Sequence, residues 1–234
     1  MFEPSEFFHF LQRPQYQFFE RKKAQVLGTA IKIYLLSLLF IGLVSLINTT
    51  ILRAFLTLPI DETLSVPDKF KEHLWAYFLL VVIFSPITEE IIFRLSLIFD
   101  PIYLSLSFST LLALIVHKVS NGIISIVSFL LLFFLIYRLA FIHKRWFLFF
   151  WERNFKYIFY LLSFLFGIVH ITNYNCTELY QYLITLFLIF PQLAIGIILS
   201  FTRIYYEKGF LICIIIHVLM NLISVSIFLL QYSH

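Results

Sequence analysis

Two adjacent glutamates, Glu89 and Glu90, lie inside a long apolar run, and Arg94 follows Glu90 by four residues. Helical residues four apart share one face, so Glu90 and Arg94 can form an ion pair. Glu89 projects about 100° away from that face and is left free of the pair. A carboxylate in apolar surroundings can act as a general base near neutral pH. A buried ion-pair network that only fixes helix packing is the alternative interpretation.

Two histidines and an asparagine lie in other apolar runs. His170 is near the end of one run, and His217 is followed four residues later by Asn221, so these two side chains point the same way. A glutamate and a histidine can hold and deprotonate one water molecule. A second histidine and an asparagine can donate hydrogen bonds to an oxyanion. Although a single intramembrane histidine is more often a packing residue, the combination indicates hydrolysis.

The composition identifies the elements that must position these groups. Of the 234 residues, 61% are hydrophobic, 13% are charged and 30 are Phe, and the mean hydropathy is +0.94. A soluble domain is about half apolar and a quarter charged. Soluble enzymes, disordered chains and nucleic-acid binders are therefore excluded. The apolar runs are continuous and about twice as long as the ten-residue alternating strands of a membrane barrel, which indicates helices.

We predict an all-α fold, a polytopic transmembrane bundle of about seven helices, with roughly six to eight as the bounds set by length. Residues 48–73 are predicted to form an exposed loop, and Pro86 predicts a break or a helix start. Residues 1–25 are a predicted cytoplasmic segment, and 26–234 a single membrane-embedded domain. The predicted segments are 26–47, 74–98, 102–117, 121–142, 157–173, 179–201 and 210–230. The third of these is short, and it either spans the membrane or is re-entrant.

Basic residues predict the orientation, because cytoplasmic loops are enriched in Lys and Arg. Eleven of the 17 fall on the side of the N-terminus, four fall on the opposite side, and Lys32 and Arg94 lie within helices. We therefore expect a multi-pass protein of the cell membrane with a cytoplasmic N-terminus. The eleven are Arg13, Arg21, Lys22, Lys23, Arg138, Lys144, Arg145, Arg153, Lys156, Arg203 and Lys208, and the four are Arg53, Lys69, Lys71 and Lys118.

Three motifs occur in order along the chain: Glu89-Glu90-x-x-x-Arg94, Phe166-x-x-x-His170 and His217-x-x-x-Asn221. Together they resemble the motifs of the CAAX protease and bacteriocin-processing family, membrane-embedded glutamate proteases of the type II CAAX prenyl endopeptidase kind. Pro86, Gly196 and Gly209 also fit this context. The resemblance covers roughly residues 80–225. Each motif alone is weak, but three in order, each within an apolar run, form a strong signal.

The resemblance implies a catalytic role for four of these residues. Glu89 would activate the attacking water, and His170 would help to position it. His217 and Asn221 would form the oxyanion site. The activity implied is endopeptidase cleavage of membrane-associated, prenylated or leader-type peptides. The resemblance also implies a water-filled cavity that opens toward the cytosol.

The same resemblance implies supporting roles for Glu90 and Arg94, and places Phe166 in the lining of the site. One departure concerns the first histidine, because two extra apolar segments separate Glu89 from His170. His117 lies at a more usual distance from Glu89 and is kept as an alternative. We favour His170 because Phe166 and a glycine precede it, whereas Ala113 stands four residues before His117.

Other functions fit parts of this pattern. Glu89, His170 and His217 form a two-histidine, one-carboxylate set that could bind a metal, although Arg94 opposes a cation there. A non-catalytic scaffold or bacteriocin-immunity protein on the same fold is a second alternative, and a proton-relaying transporter is a third. We expect neither a cofactor nor a metal. The expected partners are a peptide or protein substrate at the membrane and the lipid bilayer, without nucleic acid; the oligomeric state stays open.

Overall fold

The structure is a computed structural model that describes residues 4–16, 22–55, 73–174 and 179–232. Helices dominate these residues, which confirms the all-α class. A π-helical turn, Leu80–Phe84, joins α3 to α4, and short 3-10 turns follow α4 and α7. In chain order the α-helices are α1 (Pro4–Gln12), α2 (Val26–Phe55), α3 (Leu74–Leu79), α4 (Ser85–Phe93), α5 (Pro101–Val119), α6 (Gly122–Ile142), α7 (Lys144–Val169), α8 (Leu179–Leu188), α9 (Phe190–Tyr205) and α10 (Gly209–Tyr232).

The number of membrane helices agrees with the prediction. In the described part of the chain, six stretches are long and apolar enough to cross a membrane, and the pair α8–α9, bent by 46°, makes a seventh if counted as one broken span. The third predicted segment, 102–117, corresponds to α5, which is long enough to span the membrane. The six stretches are Val26–Asn48, Leu74–Leu97, Pro101–Val119, Gly122–Ile142, Lys144–Asn173 and Gly209–Ser226.

Helix α2 is longer than the sequence prediction. Residues 48–55 are helical, so the loop prediction is wrong for this part, and the remainder at 56–72 lies outside the described residues. No glycine or proline interrupts the chain between Gly42 and Pro59, so no helix-ending residue acts at 48. The hydroxyl of Thr50 also donates to the carbonyl of Leu46 at 2.7 Å, as helical threonines do.

Helices α5 and α6 form a hairpin at the side of the bundle. Asn121 caps α6 by accepting a hydrogen bond from the N–H of Ile124 at 3.0 Å, and Ser125 donates to the carbonyl of Ala113 at 2.7 Å. Almost none of the α6 span is buried. Helix α5 packs on α4, where Ser107 donates to the carbonyl of Ile91 at 2.7 Å, but the side chains that meet at Glu89 come from α4, α7 and α10. The hairpin therefore accounts for the long sequence separation between Glu89 and His170 without entering the site.

The N-terminal residues pack onto the bundle. Phe10 of α1 is fully buried, with ring centroids 5.1 Å from Phe159 of α7 and 5.3 Å from Phe201 of α9. Further along the chain, the N–H of Lys22 donates to the carbonyl of Tyr205 at 2.9 Å, and the N–H of Glu207 donates to the carbonyl of Lys22 at 3.2 Å. The start of the chain is thus hydrogen-bonded to the connection between α9 and α10.

Candidate active site

Pro86, the second residue of α4, changes the helix that precedes it. Proline has no N–H, and its ring clashes with the carbonyl of the preceding turn, which disfavours an uninterrupted α-helix. The chain forms a π turn here, in which the N–H of Ser85 donates to the carbonyl of Leu80, five residues back. The expected break is therefore a wider helical turn. The N–H of Ser85 is used by Leu80, and the next residue, Pro86, has no N–H to donate. The carbonyl of Val81 therefore receives no hydrogen bond from its own helix.

Asn221 supplies the missing donor. Its Nδ2 donates to the carbonyl of Val81 at 2.9 Å, which ties α10 to the π turn. A carbonyl only accepts hydrogen bonds, so this contact fixes the orientation of the carboxamide. Nδ2 carries a second hydrogen, and Asn221 also lines the cavity described below. The residue that the motif places beside His217 therefore has a structural partner as well as access to the cavity.

Glu90 and Arg94 form the predicted ion pair in the interior. Both side chains are fully buried, and Arg94 Nε lies 3.5 Å from Glu90 Oε2. This ion pair lacks hydrogen-bond geometry. Arg94 also donates from Nη2 to the carbonyl of Gly196 at 3.4 Å, and its guanidinium lies 3.9 Å from the ring centroid of Phe166. A buried charge is tolerated when it is paired and solvated by such groups.

His217 links the two glutamates. Its Nδ1 lies 2.9 Å from Glu90 Oε1, and its Nε2 lies 3.7 Å from Glu89 Oε2. An ionised carboxylate can only accept, so Nδ1 carries the hydrogen in this contact. The imidazole is nearly buried, at 4% exposure. Glu90 therefore contacts both Arg94 and His217, whereas sequence reasoning anticipated only the contact with Arg94.

His170 approaches Glu89 from the C-terminal end of α7. Its Nδ1 is 2.7 Å from the carbonyl of Phe166, so Nδ1 is the protonated nitrogen of the neutral ring. Its Nε2 lies 4.0 Å from Glu89 Oε2. In the neutral rings, the unprotonated Nε2 atoms of His170 and His217 thus face the same carboxylate oxygen. Both separations exceed a direct hydrogen bond and leave room for a small bridging group.

Glu89 itself is held at its other oxygen. Ser85, one turn earlier in the helix, donates from Oγ to Glu89 Oε1 at 2.5 Å. Oε2 makes no hydrogen bond within the described residues. The carboxylate is therefore oriented by Ser85 with one oxygen presented between the two histidines. The i, i+4 spacing of Ser85 and Glu89 is the sequence signal that could have indicated this contact.

Phe166 packs at the centre of these groups. Its ring centroid lies 5.0 Å from His170 and 5.4 Å from His217. Close packing of α7 on α9 puts it there, because a Cβ at Gly196 would lie 2.6 Å from the carbonyl oxygen of Ser163. At Gly167 a Cβ would lie 2.4 Å from Leu193 Cδ2, a side-chain atom, and 3.0 Å from Leu193 Cα. Both glycines permit the close helix approach that a small residue allows.

A cavity of about 510 Å³ adjoins Glu89, His170 and His217. Its lining combines apolar and neutral polar side chains. Gln192 is among them, and its Oε1 is buried without a hydrogen bond in the described part of the chain. Sequence reasoning missed Gln192 because a single glutamine after a proline carries no motif. The lining also includes Ile41, Tyr77, Val81, Ser85, Phe166, Val169, Thr172, Asn173, Tyr174, Pro191, Ile195, Met220, Asn221, Ser224 and Val225.

The structure brings together every residue named by the three motifs and leaves His117 apart. His117 is exposed in the last turn of α5 and does not line the cavity. His170 occupies the place beside Glu89. Within the described residues, no group of three or more His, Cys, Asp or Glu side chains could hold a metal ion.

The membrane bundle and its buried glutamate–histidine cluster agree with a comparison of the sequence with protein families. The model of the type II CAAX prenyl endopeptidase Rce1-like family matches residues 71–223, well over half of the chain. The chain therefore belongs to this family, which supports CAAX-type intramembrane protease activity in general terms. The match spans all three motifs. No curated protein and no solved structure matches the chain.

Proposed function

We propose that the chain is an intramembrane glutamic endopeptidase in which Glu89 and the two histidines activate a water molecule. The observation that carries this proposal is the convergence of Glu89 Oε2 with His217 Nε2 at 3.7 Å and His170 Nε2 at 4.0 Å. A water held between Glu89 Oε2 and His170 Nε2 donates its hydrogens to these two acceptors. Its lone pairs are then free to attack a carbonyl carbon.

The reaction needs one proton transfer in each direction. Glu89 takes a proton from the water as the oxygen attacks the peptide carbonyl, and the carbonyl oxygen becomes an oxyanion. The protonated Glu89 then gives this proton to the leaving nitrogen, and the C–N bond breaks. Ser85 holds the carboxylate in position during both transfers, because its hydrogen bond is to the other oxygen of Glu89.

The oxyanion is stabilised by His217 and Asn221. Asn221 has one Nδ2 hydrogen left after donating to Val81. His217 enters the reaction with both ring nitrogens protonated and donates from Nε2, and the Glu90 carboxylate, 2.9 Å from Nδ1, supplies the opposing charge. Such fixed donors in a water-poor site stabilise developing charge strongly. No metal or cofactor takes part in this mechanism, and we expect a chelator to leave the activity unchanged.

The test compares newly formed peptide termini in cells that carry wild type, Glu89→Gln or Glu152→Gln at matched protein levels. Glu152 is an exposed carboxylate on α7 and serves as the control. We expect termini that occur with wild type and Glu152→Gln but are lost with Glu89→Gln, and their sequences identify the substrate. Identical termini in all three, with stable protein, would contradict the proposal and favour a non-catalytic scaffold.

A further inference from the structure

The bend between α8 and α9 repeats the arrangement found at the π turn. Pro191 has no N–H, so it cannot donate to the carbonyl of Phe187, four residues earlier. Asn48 of α2 donates to this carbonyl instead, from Nδ2 at 2.6 Å. A proline again removes a helical donor, and an asparagine from another helix replaces it. The start of α9 is therefore held in a defined place beside α2.

The residues that follow this bend line the cavity. Pro191, Gln192 and Ile195, in the first two turns of α9, are among its lining residues. Gln192 precedes Gly196 by four residues, so the two lie on one face of the helix. The carbonyl of Gly196 accepts a hydrogen bond from Arg94 at 3.4 Å. Gln192 is thus on the face that α9 turns toward the glutamate–histidine cluster.

The packing of α9 on α7 determines the level at which Gln192 enters the cavity. A Cβ at Gly167 would meet Leu193, whereas a Cβ at Gly196 would meet a carbonyl one turn earlier on α7. The two helices therefore run antiparallel. Gln192, the neighbour of Leu193, lies level with the last turn of α7, which leads directly into His170.

The carboxamide of Gln192 has hydrogen-bonding capacity that the described residues do not use. Its Oε1 is buried and makes no hydrogen bond to them. An unpaired buried carbonyl oxygen destabilises a fold, and such a departure from local rules is expected at a functional site. A glutamine side chain offers one acceptor and two donor hydrogens on a last torsion that turns readily. It can therefore present either atom to the cavity that it lines.

The rest of the lining limits the group that Gln192 can bind. Of the described residues around the cavity, only Glu89, His170 and His217 are acidic or basic. A charged substrate side chain would therefore find no counter-charge apart from the groups that perform the reaction. A main-chain amide is neutral, needs a partner when it is buried, and pairs an N–H with a C=O. This combination matches the acceptor and the donors of a carboxamide.

We infer that Gln192 is a substrate-binding residue, whose carboxamide accepts a hydrogen bond from a main-chain N–H of the bound peptide close to the scissile bond. The inference rests on the proposed protease function. Gln192 neither takes a proton nor contacts the reacting atoms, so its contribution is to peptide binding. Its loss should therefore raise KM more than it lowers kcat.

The test combines one variant of the protein with one atom change in the peptide. The probe is a peptide that spans a cleavage site found with wild type. In each of its analogues, one main-chain N–H outside the scissile bond is replaced by an ester oxygen. Cleavage of the scissile amide is measured by mass spectrometry for purified wild type, Gln192→Leu and Gln12→Leu. Gln12 is an exposed glutamine of α1 outside the cavity and controls for the chemical change.

For wild type, we expect one ester position to lower kcat/KM by about twofold to tenfold, as the loss of one neutral hydrogen bond does. Gln192→Leu should show a similar loss with the unmodified peptide, mainly through KM, and no further loss with that ester analogue. Gln12→Leu should behave like wild type with every peptide.

The unfolding midpoint separates substrate binding from a structural role. Gln192→Leu removes an unpaired buried oxygen, so its midpoint should equal or exceed that of wild type. Full activity of Gln192→Leu, or ester losses that are the same in this variant as in wild type, overturns the inference while the protease function stands. If no peptide is cleaved in a Glu89-dependent manner, the protease function is overturned and the inference falls with it.

Discussion

Asn221 Nδ2 donates a hydrogen bond of 2.9 Å to the carbonyl of Val81, which Pro86 and the π turn have left without a helical partner. A residue implicated in chemistry by its motif thus also completes the backbone of the helix that carries Glu89. The position of Glu89 therefore depends on α10 as well as on its own helix.

This relationship predicts a rescue. Asn221→Leu removes the donor at similar volume and leaves the partly buried carbonyl of Val81 without a hydrogen bond from protein, which costs about 1 kcal/mol of stability. Pro86→Ala restores an N–H that can reach the Val81 carbonyl within the π turn. The double variant should therefore recover thermal stability in detergent relative to Asn221→Leu, while remaining inactive. Strict additivity of the two changes would show that the proline and the asparagine are not coupled.

The two adjacent glutamates should respond differently to the same substitution. Glu89→Gln keeps the shape but cannot take a proton, so proteolysis should fall by roughly 10²–10⁴-fold while the protein accumulates normally. Glu90→Gln leaves Arg94 without its counter-charge and weakens the contact to His217, which should cost about 3–5 kcal/mol of stability. The proteolytic activity of each purified variant measures the first effect, and its unfolding midpoint measures the second. Equal loss of stability in both variants contradicts this division.

Ser85 should act as a positioning residue for Glu89. Ser85→Ala removes a hydrogen bond to a charged group, of the kind that contributes roughly 1.5–3 kcal/mol, so kcat should drop at least about tenfold. KM should change little, because the hydrogen bond orients the carboxylate and does not bind substrate. Ser85→Thr keeps the hydroxyl and should restore most of the rate. Failure of threonine to rescue would indicate that the serine matters only for packing.

Gly196 and Gly42 form a matched pair for testing helix packing. A Cβ at Gly196 would lie 2.6 Å from the carbonyl oxygen of Ser163, whereas a Cβ at Gly42 meets no atom within 4 Å. Gly196→Ala should destabilise the bundle by about 1–3 kcal/mol, because α7 and α9 must separate. Gly42→Ala should be neutral or slightly stabilising, since alanine favours helix. Equal unfolding midpoints would refute the close approach of α7 and α9.

The cluster of Glu6, Lys22 and Tyr205 should make the N-terminal attachment sensitive to acid. A hydrogen bond from the Tyr205 hydroxyl, and then the 3.0 Å contact with Lys22, hold the pKa of Glu6 below its usual value. Because the pKa of Glu6 is lower in the folded state, ionised Glu6 stabilises the folded protein fully at pH values above its unfolded-state pKa, about 4.3. This stabilisation is lost as the pH falls through the folded-state pKa. The unfolding midpoint of wild type should therefore fall on acidification more than that of Glu6→Gln. The same pH dependence in both would exclude a contribution from Glu6, and Glu152→Gln should behave like wild type.

Much of the bundle could be predicted from the sequence, because intramembrane charges and long apolar runs are strong signals. The spacing of Glu90 and Arg94 predicts their ion pair, and the i, i+4 spacing of His217 and Asn221 places both side chains on one face. The π turn could not be predicted, since Pro86 alone also permits a kink or a helix end. The choice depends on Asn221, which lies 140 residues after its hydrogen-bond partner Val81. Gln192 and the packing of Phe10 likewise depend on tertiary contacts without a local pattern.

The hydrogen bonds between Lys22 and the connection after α9 have a consequence for the order of synthesis. Tyr205 and Glu207 leave the ribosome long after Lys22, and Gly196, which binds Arg94, also follows Arg94 by 102 residues. During translation the early helices must enter the bilayer with Arg94 accompanied only by Glu90, and the first residues must wait undocked. Docking of Lys22 onto the bundle is therefore a late event, because it can occur only after Tyr205 and Glu207 have been synthesised.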